Sequence, residues 1–225
     1  MNRIKSREVS NKVYFGLDNL DEKISKYVDK DYGTFVELGA YDGVTQSNTL
    51  FLERSGWRGV LIEPQPEIFK ECVRNRPEAK VFQCACISDN DTRNVVELDC
   101  VGLMSLVSGY KDDQEEKEWI VRAKNIQDIS HKKITVPART LSAVIEEARL
   151  VNIDLLIVDV EGAELSVLQG LDFLRWRPKY IVCEDNYGDH VAQFLEHRQY
   201  KILDILSERK YTRDVIYVDG QYAEK

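Results

Sequence analysis

The fold of this chain is decided by one short stretch, FVELGAYDG, which runs from Phe35 to Gly43. Its first half is an apolar run that predicts a buried strand. Gly39 and Gly43 follow, and glycine lets a backbone turn tightly and approach a ligand closely. In doubly wound folds the ligand lies where a strand ends in such a turn, so the stretch predicts both a fold class and a site.

Strands and helical patterns alternate along the rest of the chain. Further strands are predicted at Gly59 to Glu63, Lys80 to Ile87, Ile153 to Val160 and Lys179 to Cys183, with Tyr200 to Ile205 and Asp214 to Val218 as an antiparallel pair. Repeated strand–helix–strand units predict a parallel sheet, since each crossover returns a helix to its face. We therefore predict a doubly wound α/β fold with a mostly parallel seven-stranded sheet, helices on both faces and an antiparallel C-terminal edge.

The length of 225 residues fits one domain, which we predict over residues 1–225. Residues 1–32 are predicted as a helical lead-in. Residues 101–133 interrupt the alternation and contain a charged helix, Asp112 to Lys124. An insertion of this kind is either a solvated cover or a mobile lid over the substrate.

Composition excludes several classes of function. The formal net charge of −8 disfavours a protein that neutralises nucleic-acid phosphates. No apolar run approaches the ~18 residues that a membrane helix needs, so we predict a cytoplasmic protein without a membrane span. The five cysteines include no CxxC pair, which favours reduced, buried thiols over zinc ligands or disulfides.

The spacing of the glycine turn bears on the ligand. A dinucleotide site would need G-x-G-x-x-G and a helix N-terminus aimed at a pyrophosphate. The spacing here is G-x-x-x-G, with Glu37 before the turn and Asp42 inside it. These carboxylates would repel a pyrophosphate and suit the ammonium and sulfonium of S-adenosylmethionine. A plain strand-to-helix turn is the alternative.

Glu63 ends the second predicted strand, about 20 residues beyond the glycine turn, where an acidic side chain can accept hydrogen bonds from ribose hydroxyls. An NAD site would share this feature. Glu63 and the glycine turn together therefore predict an adenosine-containing ligand in general.

Acidic residues follow the two later strands. One set is Asp159, Glu161 and Glu164, and the other begins with Glu184 and Asp185. Crowded carboxylates resist ionisation unless a cation is present, so one of them is a general base or the group binds a hard divalent cation. For Glu161 and Glu164 the alternative is a helix cap. His190 is a further candidate base for a hydroxyl, or else a surface residue at a helix start.

These motifs, in this order, resemble the FkbM-type methyltransferase family. The resemblance rests on Phe35 to Gly43, Ser47-Asn48-Thr49, Gly56-Trp57-Arg58-Gly59 with Ile62-Glu63-Pro64, Thr140-Leu141-Ser142, and Ile153 to Glu164. It covers roughly Gly33 to Glu184. The resemblance implies a class I methyltransferase fold, S-adenosylmethionine as methyl donor and O-methylation, often of a sugar hydroxyl.

The resemblance also implies roles for individual residues. The methionine end of the cofactor would be held by Glu37, Gly39, Tyr41, Asp42 and Gly43, the ribose by Glu63, and the adenine by Cys84, Ala85 and Cys86, with Asp159 and Glu161 facing the reacting centre. The pair Asp185-Asn186 resembles the metal-binding pair of a different group, the catechol-type O-methyltransferases. By that analogy Asp159, Asp185 and Asn186 would bind Mg²⁺ or Mn²⁺.

The sequence therefore predicts an S-adenosylmethionine-dependent O-methyltransferase that acts on a sugar, a glycan or a sugar-containing metabolite. Its base would be Asp159, Glu161 or His190. The alternatives are methylation of a non-sugar small molecule or a nucleic acid, an NAD-type oxidoreductase, and a non-enzymatic interaction module. The identity of the acceptor and the oligomeric state are left open.

Overall fold

The computed structural model describes residues 13–28, 30–185 and 188–223. The strands are β1 (Thr34–Leu38), β2 (Arg58–Ile62), β3 (Lys80–Phe82), β4 (Ala85–Ile87), β5 (Val95–Cys100), β6 (Leu106–Val107), β7 (Lys132–Thr140), β8 (Leu155–Val158), β9 (Tyr180–Asp185), β10 (Tyr200–Glu208) and β11 (Arg213–Asp219). The α-helices are α1 (Leu20–Ile24), α2 (Leu50–Arg54), α3 (Pro66–Asn75), α4 (Asp113–Gln127), α5 (Leu141–Ala148), α6 (Glu164–Gln169) and α7 (His190–Glu196). Short 3-10 turns span Leu17–Asn19 and Gly102–Met104.

The main sheet has seven strands in the order β10-β11-β9-β8-β1-β2-β3. Pairing is parallel from β9 to β3, and β11 is antiparallel to both β9 and β10. The predicted fold class is therefore confirmed, as is the antiparallel pairing of the two late strands. In this pair β11 lies between β9 and β10, so the outermost strand, β10, again runs parallel to β9.

The sheet is buried on both faces because apolar side chains alternate along its central strands. In β1, Val36 and Leu38 pack into one cluster with α5 and α6, while Phe35 packs into a second with α1 and α2. All three side chains are at most 1% exposed. Burying such side chains on both faces supplies the main stabilisation of a three-layer α/β domain.

The predicted strand from Lys80 to Ile87 is two strands in the structure. β3 ends at Phe82 and pairs with β2, whereas β4 begins at Ala85 and pairs with β7 in a second sheet. The chain therefore crosses between sheets at Gln83 and Cys84. An apolar run does not reveal such a crossing, because both halves are apolar strands.

The second sheet has four strands in the order β4-β7-β5-β6. Residues 101–133 contribute the 3-10 turn at Gly102–Met104, β6, α4 and the start of β7. Asp112 begins α4 with a capping box, since its carboxylate accepts from the amides of Gln114 and Glu115. The interrupting segment is therefore an ordered sheet edge and helix, packed together around Val101, Leu106 and Ala123.

The strand order changes direction at β1, which lies between β8 and β2. The chain leaves β1 towards β2 and later enters β8 on the other side, and the two connections diverge to open a cleft. Gly39 lies at this point with φ +77°, and a Cβ on it would lie 2.0 Å from the main-chain oxygen of Asp159. The two strand ends approach this closely because residue 39 has no side chain.

We expect Gly39→Ala to lower the free energy of unfolding by about 3 kcal/mol, since alanine would meet both a left-handed backbone and a main-chain oxygen. Gly109→Ala is the matched control, because Gly109 also has a positive φ (+89°) but open space around its Cβ position. The control should lose only about 1 kcal/mol. Urea unfolding measures both, and equal losses in the two variants would contradict the close approach.

Candidate active site

A cavity of about 400 Å³ lies at the carboxyl ends of β1, β2, β8 and β9. Cavities of this size hold small-molecule ligands and cofactors. The main sheet forms its floor, and Leu103, Met104 and Trp119 from the interrupting segment line its roof. Among the sequence-predicted site residues, the cavity is lined by Glu37, Gly39, Tyr41, Glu63, Cys84, Ala85, Cys86, Asp159 and Glu161.

The glycine turn is tied to the end of β2 through Glu63. Tyr41 adopts a left-handed conformation (φ +49°), and its amide donates to Glu63 Oε2 at 3.0 Å. The amide of Gln65 donates to Glu63 Oε1 at 2.8 Å. Burial raises the pKa of the Glu63 carboxyl to about 7 despite these two hydrogen bonds. Each oxygen has a further lone pair, so the group can still accept from a ligand hydroxyl.

Glu37 lies at the end of β1 and is 3% exposed. It accepts hydrogen bonds from the Asn48 amide at 2.9 Å and from Thr49 Oγ1 at 2.5 Å. Burial raises its pKa, and the nearby guanidinium of Arg76 acts in the opposite direction. Asn48 is also among the residues around the cavity, and its Oδ1, which lies against Gly16, is buried without a hydrogen-bond partner among the described residues.

Two residues of the predicted cofactor set do not line the cavity. The carboxylate of Asp42 turns back on its own loop, where it accepts from the amides of Val44 at 2.9 Å and Thr45 at 2.6 Å. Gly43 packs against α3 and its end, since a Cβ there would lie 2.6 Å from Cγ of Arg76. Asp42 and Gly43 therefore shape the turn, and their contact with a cofactor stays a prediction.

The wall opposite Glu63 is formed where β4 begins. Cys84, Ala85 and Cys86 all line the cavity, and each is at most 5% exposed. Both thiols are free, and they hydrogen-bond to each other. Their small side chains make a flat, apolar wall. Contact of this wall with an adenine ring stays a prediction.

Three carboxylates form an acidic cluster at the other end of the cavity. Asp159, Glu161 and Glu184 each offer an oxygen within 4.8 Å of the others. Asp159 and Glu161 follow β8, while Glu184 lies in β9, so parallel neighbouring strands bring the three together. Burial raises the pKa of all three carboxyls, and repulsion from neighbouring carboxylates adds to it; the pKa of Glu184 reaches about 7.

The cluster is incompletely neutralised by the protein. Arg209 Nη1 lies 3.5 Å from Glu184 Oε1, but Glu184 Oε2 is buried with no partner among the described residues. Arg209 also binds Asp214, at 2.9 Å. Glu161 is held in a left-handed conformation (φ +60°), which costs energy and is typical of functional sites. The cluster can therefore take up a proton, or hold a small cation on oxygen ligands.

The predicted metal ligands Asp159 and Asp185 are not brought together. Asp185 directly follows Glu184 in β9, and consecutive strand residues point to opposite faces of a sheet. Its Oδ2 accepts from Nη2 of Arg213 at 2.7 Å and from Nε at 3.0 Å. Asn186 lies outside the described residues. In the part of the chain that the structure describes, Glu161 and Glu184 are the carboxylates that join Asp159.

His190 begins α7, is exposed, and lines a second cavity, which Glu184 of the acidic cluster also lines. It is not among the residues that line the main cavity, and its role as a base stays a prediction. Glu164 matches the capping alternative, since its Oε1 accepts from the amides of Gly162 at 2.9 Å and Val160 at 3.2 Å.

Some residues around the cavity were missed by sequence reasoning. No local sequence pattern indicated a role for Asn48, which appeared only within the segment Ser47-Asn48-Thr49 of the family resemblance. Glu184 was predicted as one of the crowded acidic strand ends but was not assigned a role in the site. Trp119 and Arg122 lie on α4 in a segment whose sequence indicates only a charged helix. Their position follows from how α4 packs over the sheet, which no local pattern encodes.

Comparisons with known proteins agree with this geometry. The chain matches the family model of the methyltransferase FkbM domain over residues 37–202. A search of curated proteins found no match. No helix among the described residues is long and apolar enough to cross a membrane.

Three solved structures share the fold at low sequence identity. The ribosomal protein L11 methylase from Lactobacillus delbrueckii subsp. bulgaricus has a TM-score of 0.50 and 9% identity, over 92% of this chain and 81% of that one. TrmK from M. capricolum, in complex with S-adenosyl-homocysteine, has a TM-score of 0.50 and 7% identity, over 92% and 70%. A putative methylase from Haemophilus influenzae has a TM-score of 0.50 and 8% identity, over 92% and 91%.

The family match covers more than half of the chain, and it confirms the resemblance that the glycine turn, Glu63 and the Asp159 to Glu164 block indicated. At identities below 10% the solved structures show the fold alone, which is that of class I methyltransferases. The chain belongs to the FkbM family of S-adenosylmethionine-dependent methyltransferases.

Proposed function

We propose that this protein transfers a methyl group to a hydroxyl of a sugar, a glycan or a sugar-containing metabolite. The observation that carries the proposal is the acidic cluster of Asp159, Glu161 and Glu184 at one end of the cavity, opposite the glycine turn and Glu63. A hydroxyl is a weak nucleophile until its proton is removed. A cluster of carboxylates with raised pKa values is suited to take that proton.

The cavity fits S-adenosylmethionine on three grounds. Its volume suits a ligand of this size. Glu184 Oε2, in the acidic cluster, is a buried acceptor without a partner among the described residues, and it suits a ligand that brings positive charge. Glu63 lies at the end of β2 with lone pairs left for ribose hydroxyls. When bound, S-adenosylmethionine supplies an electrophilic methyl group.

The residues of the chain position the acceptor and move one proton. The acceptor oxygen forms a bond to the methyl carbon as the sulfur–carbon bond breaks, and the hydroxyl proton passes to a carboxylate of the cluster. Asp159 is the candidate base because it lies beside Gly39, where the two halves of the cavity meet. Burial keeps its pKa high, and repulsion from Glu184 and Asp214 adds to this rise, which makes Asp159 a stronger base once it is ionised.

A hydroxyl-rich acceptor suits the cluster better than a nucleic acid does. Sugar hydroxyls donate hydrogen bonds that crowded carboxylates accept, whereas phosphates would be repelled by the carboxylates at the reacting centre. The net charge of −8 also opposes binding along a phosphate backbone. The free thiols of all five cysteines suit a reducing compartment, and we place the enzyme in the cytoplasm.

Binding of the donor tests the first half of the proposal. Calorimetry should show that S-adenosylmethionine binds, and Glu63→Gln should weaken the binding by about tenfold, since an amide N–H₂ would replace one acceptor oxygen. Glu67→Gln is the matched control, because Glu67 is an exposed residue on α3 that forms a surface ion pair with Lys70. A wild-type protein that binds no S-adenosylmethionine would refute the proposal.

The pH dependence of the rate tests the second half. The base must be ionised, and burial with neighbouring carboxylates raises the pKa of Asp159, so kcat/KM should rise with pH above the ordinary range of a carboxyl and then level off. Asp159→Asn should lower kcat/KM by about 100-fold.

Asp185→Asn is the matched control for this experiment, because Asp185 lies next to the cluster in sequence but points away to Arg213. Transfer of labelled methyl groups to a panel of sugars and glycans provides the measurement. A flat pH profile with full activity in Asp159→Asn would exclude the carboxylate base. Loss of activity in excess EDTA would indicate instead that the cluster works through a bound cation.

A further inference from the structure

One cation in the cavity wall is held by aromatic rings. Arg122 lies on α4 and lines the cavity. Its Cζ lies 5.4 Å from the ring centre of Trp119, on the same helix, and 4.6 Å from the ring centre of Tyr211, in the turn between β10 and β11. Cation–π contacts at such distances fix the position of a guanidinium. Arg122 therefore joins the roof of the cavity to the C-terminal hairpin.

Arg122 keeps its hydrogen-bond donors free. Among the described residues it makes no ion pair and no hydrogen bond, and its contacts with the two rings use none of its N–H groups. The other arginine in the cavity wall, Arg209, is bound to Asp214 and Glu184. A positioned guanidinium with free donors is suited to bind a carboxylate or a phosphate through two parallel hydrogen bonds.

Two lysines flank Arg122 on the same rings. Lys111 Nζ lies 4.8 Å from the ring centre of Trp119, and Lys210 Nζ lies 4.8 Å from that of Tyr211. We call Lys111, Arg122 and Lys210, with the two rings that carry them, the basic rim. These three cations lie close together, although the formal net charge of the chain is −8. They provide a local positive field at the mouth of an acidic cavity.

The basic rim borders the acidic cluster. Lys111 Nζ would lie 2.7 Å from a Cβ on Gly162, the residue after Glu161, and its charge opposes the rise in the pKa of Glu161. On the other side, Thr212 follows Tyr211 and hydrogen-bonds to Glu184. The wall proposed for adenine, at Cys84 to Cys86, belongs to a different strand, β4. The rim is therefore at the acceptor end of the cavity.

We propose that the acceptor of this enzyme is an anionic sugar, whose carboxylate or phosphate is bound by Arg122 of the basic rim. The inference rests on the proposed function, because it names the substrate class for the same site. The anionic sugar is either a uronic acid or a sugar phosphate. Both carry anionic oxygens that can accept two parallel hydrogen bonds from the guanidinium.

The arrangement gives each charge a separate role. The carboxylates of the acidic cluster would repel an anion, so the anionic group of the sugar is excluded from the reacting centre and is drawn to the rim. This fixes which end of the sugar enters first, and it directs a neutral hydroxyl towards Asp159. Orientation of this kind is a large part of catalysis by positioning, and a site with unpaired donors discriminates against sugars that lack the anion.

Calorimetry on the protein saturated with S-adenosyl-homocysteine tests the inference without turnover. The probes are glucuronate, glucose 1-phosphate and glucose. At least one charged sugar should bind about tenfold more tightly than glucose, and the one that does so identifies carboxylate or phosphate. Arg122→Gln should reduce this preference to about twofold or less, while the affinity for S-adenosyl-homocysteine stays within about twofold of wild type.

Two further variants separate recognition from general damage. Arg54→Gln is the matched control, since Arg54 stacks 4.6 Å from the ring centre of Phe15 but does not line the cavity, and it should keep the full preference. Tyr211→Phe keeps the aromatic ring and should keep the full preference for the charged sugar. Tyr211→Ser removes the ring and should lose part of that preference.

Three results would overturn the inference. The first is equal affinity for glucose and the charged sugars, or no measurable binding of either charged sugar. The second is a preference that survives Arg122→Gln. The third is a large loss of affinity for S-adenosyl-homocysteine in Arg122→Gln, which would assign the guanidinium to the carboxylate of the cofactor. Failure of the proposed function is distinct, because it would appear as an absence of methyl transfer while these binding preferences remain.

Discussion

The close approach of Gly39 to the main-chain oxygen of Asp159 is the constraint on which the site depends. It occurs where β1 and β8 end side by side and their connections diverge. Because residue 39 has no side chain, the turn that would receive the cofactor lies directly against the main chain of Asp159, the residue whose carboxylate would receive the proton. A longer separation would place donor and acceptor too far apart for in-line transfer.

Burial, more than any single charged neighbour, sets the pKa values of the carboxyl groups in the cavity. Six acidic side chains line it, and Arg122 and Arg209 are the basic residues in the described lining. Taking carboxylates out of water raises their pKa values, as it does for Glu37, Glu63 and all three members of the acidic cluster. The free site therefore binds protons readily. A positively charged ligand would lower the free-energy cost of holding these buried carboxylates ionised. The cavity therefore favours a sulfonium donor over a pyrophosphate.

The sequence was sufficient for the fold class and for the residues that local chemistry determines. Gly39 and Glu63 were predictable because a glycine turn and an acidic strand end each have a defined place in doubly wound sheets. Asp42, Asp185 and His190 were predicted as site residues, but the structure places none of them in the lining of the main cavity, since the direction of a side chain depends on turn geometry and strand register. Arg122 and Trp119 were not predictable because only tertiary packing brings α4 over the sheet.

The crossing of the chain at Gln83 and Cys84 has a consequence for how the cavity responds to mutation. The strand before it belongs to one sheet and the strand after it to the other, so the wall at Cys84 to Cys86 spans the gap between two separately packed bodies. The width of the cavity therefore depends on the distance between the two sheets. A core substitution in the small sheet, at Val96 or Val136 for example, would change the width of the cavity and so the fit of the cofactor. Neither side chain lines the cavity itself.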